Sequence, residues 1–266
     1  MLTPRSLLFV PGDRPERFEK ASSSGADATI IDLEDSVRPA AKTAARDAAC
    51  TWLGAGGGRA WVRVNAAPDE HHEADLEALA GVEGLLGVVL PKAEDPAGVD
   101  DVVRRMGDVA VLALVESATG LLAAERLARH PAVKLLAFGN LDFAEDCGIT
   151  VSDPDEPELL PARSHLVLVS RAAGLGAPVD GVTADLRHGD PIRRDATRAA
   201  RLGFGGKLCV HPSQVPEVHA AFAPTPEQVA WATTILGSVR EGVGVVDGAM
   251  VDRPVILRAR RILSLA

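Results

Sequence analysis

Eight short apolar runs, each closing on polar residues and each separated from the next by a stretch with helical character, restrict this chain more than any other feature. The runs are Ser6–Val10, Ala28–Ile31, Trp61–Val64, Gly87–Leu90, Val109–Val115, Leu135–Phe138, Pro178–Val182 and Gly206–Val210. Runs this short and this largely apolar read as buried strands. Between them lie segments of helical spacing such as Arg14–Ser24, Ala40–Leu53, Asp69–Leu79, Asp95–Arg105, Thr119–Ala128, Arg163–Leu175 and Ile192–Leu202. Parallel strands need such crossovers. Eight strands in strict alternation with helices predict an α/β fold, a (β/α)8 TIM barrel, over residues 1–222. Pro224 and Pro226 mark a break. Residues 223–266 lie outside the eightfold count and read as a C-terminal helical extension, with one helix over Thr225–Arg240. That extension is expected to pack on the barrel or to cover a barrel mouth, its own or a neighbour's.

Composition narrows the function. The chain has 266 residues, 47% hydrophobic and 24% charged, enough for a large core. A net charge of -9 opposes binding to nucleic acid. Cys50, Cys147 and Cys209 stand far apart without a CxxC pair, which argues against zinc and a disulfide framework. The start MLTPRSLLFVPGDR lacks a signal-peptide core, and no apolar run reaches membrane-spanning length, so the expectation is a cytoplasmic protein without membrane contact.

The polar residues at the strand ends form a pattern: Glu34 and Asp35 after the second strand, Arg63 and Asn65 after the third, Lys92 after the fourth, Glu116 after the fifth, Asp142 after the sixth and His211 after the eighth. Strand C-termini form the face where such barrels carry their chemistry. Glu116 and Asp142 follow successive strands and therefore share one rim. Two carboxylates with positions left for waters and substrate oxygens suit Mg²⁺. The competing reading makes Glu116 a helix cap and Asp142 the start of a turn.

The segments RSLLFVPGDRPERFEKA, DLEDSV, WVRVN, LPKAE, LVESATGLLAAERLA, FGNLDFAEDCGI, RAAGLGAPVDGV, GFGGKLCVHPSQ and DGAMVDRP occur in this order from Arg5 nearly to the end. As a set they resemble the citrate lyase beta subunit (CitE-like) family within the HpcH/HpaI aldolase group. The resemblance implies a Mg²⁺-dependent carbon–carbon lyase on a TIM barrel, acting on a 3-hydroxyacyl thioester of coenzyme A (CoA) such as citryl-, malyl- or citramalyl-CoA, with an oxo acid and acetyl-CoA as products. It makes Glu116 and Asp142 metal ligands that also meet the substrate, Arg63 the group that grips the oxo-acid carboxylate, and Glu34 and Asp35 the acids that orient the ion's waters. Lys20, with Arg14 and Arg17 beside it, matches a position that meets CoA phosphates, and Asp180 lies in a CoA-contacting turn. Asp252 resembles an acid/base aspartate delivered by a neighbouring subunit, which implies a homo-oligomer, a trimer or a hexamer.

The chemistry asks for such a set. A 3-hydroxyacyl thioester splits when its hydroxyl loses a proton and the bond to the thioester α-carbon breaks, leaving an enolate that an acid must protonate. A divalent ion lowers the hydroxyl pKa and fixes the geometry. A permanently charged planar fork suits the carboxylate. Two other readings stay open: an aldolase acting on free hydroxy-oxo acids, and a non-catalytic CoA- or oxo-acid-binding subunit of a larger complex.

Overall fold

The computed structural model describes residues 3–186, 189–238, 244–246 and 249–265. Eight parallel strands close into a barrel in sequence order: β1 (Ser6–Pro11), β2 (Ala28–Asp32), β3 (Ala60–Arg63), β4 (Leu85–Leu90), β5 (Val111–Val115), β6 (Val133–Phe138), β7 (Val179–Asp180) and β8 (Gly206–Cys209). β8 returns to β1 with Leu7 opposite Leu208, which completes the ring and leaves no open edge. The helices of the crossovers are α1 (Phe18–Ser22), α2 (Lys42–Gly54), α3 (His72–Leu79), α4 (Pro96–Met106), α5 (Ala118–Ala128), α6 (Asn140–Asp146), α7 (Leu160–Ala172) and α8 (Gly189–Leu202), and α9 (Val215–Phe222) follows β8.

The predicted alternation is therefore the observed one. Where the boundaries differ, local chemistry explains it. The first predicted helix opens as a 3-10 turn at Pro15–Arg17, because Pro15 pre-sets the first turn without a donor. Strand β7 has only two residues, Val179 and Asp180. Helix α6 was not expected as a helix; seven residues give too short a period to read.

The barrel interior holds Leu7, Ile30, Trp61, Val89, Leu112, Leu114, Leu135, Ala137, Val179 and Leu208 in one packed cluster. Burial of this order, at roughly 25 cal/mol per Å² of apolar surface, drives the closure. Among the described residues no helix is long and apolar enough to cross a membrane.

Two compact units divide the chain, Met1–His219 and Ala220–Ala266. The second contains α10 (Pro226–Ser238), an antiparallel hairpin of β9 (Gly244–Val246) and β10 (Ala249–Val251), and α11 (Arg253–Leu263). The hairpin adds strands to what the sequence presented as a purely helical extension. This unit has a small core of its own: Ala232 and Ile235 of α10 meet Val251, Ala259 and Ile262, with Val255 and Ile256 packed against them. Much of the apolar surface of the tail is thus covered within the unit.

Candidate active site

The C-terminal ends of the strands surround a cavity of about 440 Å³. Phe9, Leu114, Phe138, Val182, Leu208 and Val210 give it apolar walls, and Asp32, Asp35, Arg63, Glu116 and Asp142 supply charge. Four of the predicted site residues, Asp35, Arg63, Glu116 and Asp142, therefore share one space.

Glu116 follows β5 directly and is 4% exposed. It does not cap α5, since the cap is Ser117, whose hydroxyl accepts the Gly120 N–H at 3.0 Å. The Glu116 carboxylate is left for another task. Its Oε1 accepts the Lys92 N–H at 2.7 Å, while Oε2 is buried with no hydrogen-bond partner. Burial pushes its pKa up to about 8 against the pull of the Lys92 N–H, and the negative charges of Glu34 and Asp142 add to the rise. Gly139 gives the carboxylate room: a Cβ there would stand 2.5 Å from Glu116 Cβ and 2.7 Å from Oε2.

Asp142 lies in the first turn of α6. The helix start is fixed by Asn140, whose Oδ1 accepts the Val182 N–H at 2.9 Å and whose Nδ2 donates to the Val182 carbonyl at 3.2 Å. Gly181 permits this approach, because a Cβ on it would meet Asn140 Oδ1 at 1.9 Å.

Arg63 ends β3 and is held by acids on three sides. Nε and Nη2 donate to Asp32 Oδ1 and Oδ2, each at 2.7 Å, and Nη1 donates to Asp35 Oδ2 at 3.2 Å. Glu34 Oε2 stands 3.1 Å from Nη1, off the hydrogen-bonding direction. Phe9 lies under the guanidinium with its ring centre 4.9 Å from Cζ. Burial would raise Asp32, but the fork of Arg63 outweighs it and holds this carboxyl below the usual range. Burial also pushes Glu34 up to about 7 despite Arg63. Glu34 and Asp35 thus flank the arginine. Asp32 is the residue that sequence reasoning missed; its signal was a carboxylate as the last residue of a buried strand, level with Arg63 on the next.

The turn carrying Glu34 is tied down from below. Lys42 of α2, 7% exposed, donates to the carbonyls of Leu33 and Glu34 at 3.0 and 3.1 Å and to Asn65 Oδ1.

Asp180 requires a correction. It is fully buried, with Oδ1 accepting Arg163 Nε at 2.9 Å and Oδ2 3.8 Å from Lys207 Nζ. Burial would raise its pKa, and the charges of Lys207 and Arg163 hold it down. A side chain enclosed in this way balances two buried cations and has no surface with which to meet CoA. Arg14, Arg17 and Lys20 are exposed on the segment after β1 and lie outside the cavity lining. Asp252 is the N-cap of α11 in the second unit, exposed, with Oδ1 accepting the Val255 N–H at 3.2 Å.

The residues present fit a divalent ion of the Mg²⁺ type. Glu116 has a buried oxygen without a partner and Asp142 shares its cavity, two carboxylates of the kind that hold Mg²⁺ beside its retained waters.

The model of the HpcH/HpaI aldolase/citrate lyase family matches residues 5–212. The chain belongs to that family. Its relatives include the citrate lyase subunit beta-like protein of Mycobacterium tuberculosis, 38% identical over 97% of this chain and 94% of the relative. The (3S)-malyl-CoA thioesterase of Cereibacter sphaeroides is 34% identical over 98% of this chain and 94% of its own length. Among solved structures, CitE from M. tuberculosis in complex with magnesium, acetoacetate and coenzyme A superposes with a TM-score of 0.87 at 35% identity, over 100% of this chain and 98% of that one. Family membership makes the protein an enzyme of the carbon–carbon lyase class, and the TIM barrel is the family fold.

Proposed function

We propose that this enzyme cleaves, or in reverse forms, a 3-hydroxyacyl-CoA such as malyl-, citramalyl- or citryl-CoA, giving an oxo acid and acetyl-CoA, with Mg²⁺ held by Glu116 and Asp142. The observation that carries the reading is the buried, unpartnered Oε2 of Glu116 in the same cavity as Asp142 and Arg63. Support comes from the similar CitE structure, which holds magnesium, an oxo acid and coenzyme A together.

Bound Mg²⁺ would supply Lewis acidity to the oxygens of the oxo-acid portion and fix their geometry. The protein does the rest. Arg63, its plane set by Asp32, turns its remaining N–H groups to the substrate carboxylate; a contact of this kind contributes about 3 kcal/mol. The walls of Phe138, Leu114 and Val182 exclude water from the enolate left on the acetyl carbon. Asp252, delivered by the second unit of a neighbouring copy in a homo-oligomer, a trimer or hexamer, takes the proton that the substrate hydroxyl gives up as the carbon–carbon bond breaks and returns it to that carbon. Arg14, Arg17 and Lys20 meet the CoA phosphates outside the cavity, where exposed cations at the rim serve a long ligand.

Incubation of the purified protein with each thioester, with and without Mg²⁺, followed by mass spectrometry, tests the reading. Acetyl-CoA and an oxo acid, formed only with Mg²⁺, are expected. Free CoA with an intact hydroxy acid would make it a thioesterase. Cleavage of free hydroxy-oxo acids alone would make it an aldolase of the HpcH/HpaI kind, and binding without turnover would leave a non-catalytic subunit.

A further inference from the structure

Lys92 joins the two halves of the site, and it does so in a backbone conformation that L-residues rarely take. Its φ is 46°, in the left-handed region, where a residue bearing a Cβ is strained. The chain is pinned on both sides of it: Leu90 pairs with Ala113 across β4 and β5, and the Ala93 N–H donates to the Leu114 carbonyl at 3.2 Å. Between these anchors the left-handed residue turns its N–H onto Glu116 Oε1 at 2.7 Å. Its side chain leaves in another direction, 53% exposed, with Nζ 3.4 Å from Glu34 Oε1.

We propose that Lys92 is a positioning residue whose left-handed backbone, and not its ammonium group, orients Glu116 and so sets the affinity for the divalent cation. The inference rests on the assignment of Glu116 and Asp142 as metal ligands. A carboxylate has two oxygens and a rotatable stem. One rigid N–H on Oε1 stops the rotation and leaves Oε2 as the free ligand oxygen, the atom that has no partner here. Gly139 closes against the other side of the same side chain. The ammonium is half exposed and makes its hydrogen bond to Glu34, so it reaches Glu116 only by its charge and fixes no oxygen of that carboxylate. Strained residues of this kind persist where their surroundings over-determine them, and they gather at functional sites.

Calorimetric titration of the full chain with Mg²⁺, on the parent protein and on Lys92→Gly, Lys92→Asn, Lys92→Arg and Lys92→Val, tests the proposal. Gly and Asn tolerate positive φ and keep the N–H, so Kd should stay within about threefold of the parent although the charge is gone. Valine resists the left-handed region, so Lys92→Val should bind Mg²⁺ about tenfold more weakly or worse. Circular dichroism checks folding, and if Lys92→Val fails to fold, the comparison of Gly and Asn with Arg decides alone. Affinity kept only by Lys92→Arg, with Gly and Asn as weak as each other, would overturn the proposal in favour of the ammonium. Parent-like affinity in a folded Lys92→Val would overturn it as well. A parent protein that binds no Mg²⁺ would remove the metal assignment itself and this inference with it.

Discussion

Asp32 and Arg63 face each other as a carboxylate fork on a guanidinium fork, two parallel bonds of 2.7 Å at one level of neighbouring strands. The plane of the guanidinium is therefore set before any substrate arrives. A fixed donor loses little freedom when it binds, which favours recognition by geometry over recognition by charge alone.

Replacing Arg63 by Lys keeps the charge and loses the plane. Oxo-acid affinity in the presence of Mg²⁺ should fall by about 2 kcal/mol, roughly thirtyfold. The melting temperature should fall too, since Asp32 keeps its burial without its bidentate partner. Calorimetry and thermal melting on one preparation read both. An unchanged oxo-acid affinity beside a lowered melting temperature would assign Arg63 to the barrel and not to the substrate.

Glu116→Gln and Asp142→Asn should each abolish Mg²⁺-dependent binding of pyruvate or oxaloacetate while the circular dichroism spectrum stays that of the parent. Neither carboxylate supports the core, and amides of the same shape fill the same space. Parent-like oxo-acid affinity in either variant would remove that residue from the metal site.

The raised carboxyl of Glu116 gives a pH dependence. Without the ion its pKa is about 8, above the roughly 4.3 of an unfolded glutamate. The protonated group favours the fold, so its contribution to stability is fully present below about pH 4.3 and is lost as the pH rises through about 8. Mg²⁺ must displace the proton. Its affinity should therefore strengthen as the pH rises towards about 8, approaching tenfold per pH unit below that value, and the gain in melting temperature on adding Mg²⁺ should be largest above it. Calorimetry in buffers of different ionisation enthalpy should show one proton released per ion in the acid range. Affinity independent of pH there would show that Glu116 is already ionised.

Asp180→Ala should destabilise the protein by about 3 kcal/mol, because Lys207 would lose its buried counter-charge while Arg163 would keep only Glu156. CoA affinity in the surviving folded fraction should match the parent. A loss of CoA binding without a loss of stability would return Asp180 to the role the sequence implied for it.

Asp252→Asn separates chemistry from structure, since asparagine caps a helix as well as aspartate does and α11 should remain intact. Mixing this inactive variant with inactive Glu116→Gln should restore part of the activity if Asp252 acts on a neighbour's site. No recovery after verified subunit exchange would confine Asp252 to its own chain or to the cap alone.

The barrel was legible because eight apolar runs cannot be buried on both faces in many other ways, and the site was legible because Glu116, Asp142 and Arg63 stand at strand ends. What escaped did so for physical reasons. Asp32 sits inside its strand's last position, where a residue is ordinarily read as core. Asp180 was given to CoA by the resemblance of its segment alone; Arg163 within an apolar helix and Lys207 within a strand were the sign that a buried acid had to lie between them. Lys92 stood in the strand-end pattern with no role of its own, and nothing in a sequence shows a backbone angle. The hairpin β9–β10 is too short for alternation to register.

Asp32, Glu34, Asp35, Glu116 and Asp142 crowd one end of the barrel, and the cations among the described residues that pair with their carboxylates are Arg63 and Lys92. An oxo acid that reaches this mouth first meets a surplus of its own sign. On the proposed metal assignment, a divalent ion bound by Glu116 and Asp142 would reverse this local balance, so the cluster favours one order of arrival, ion before acid.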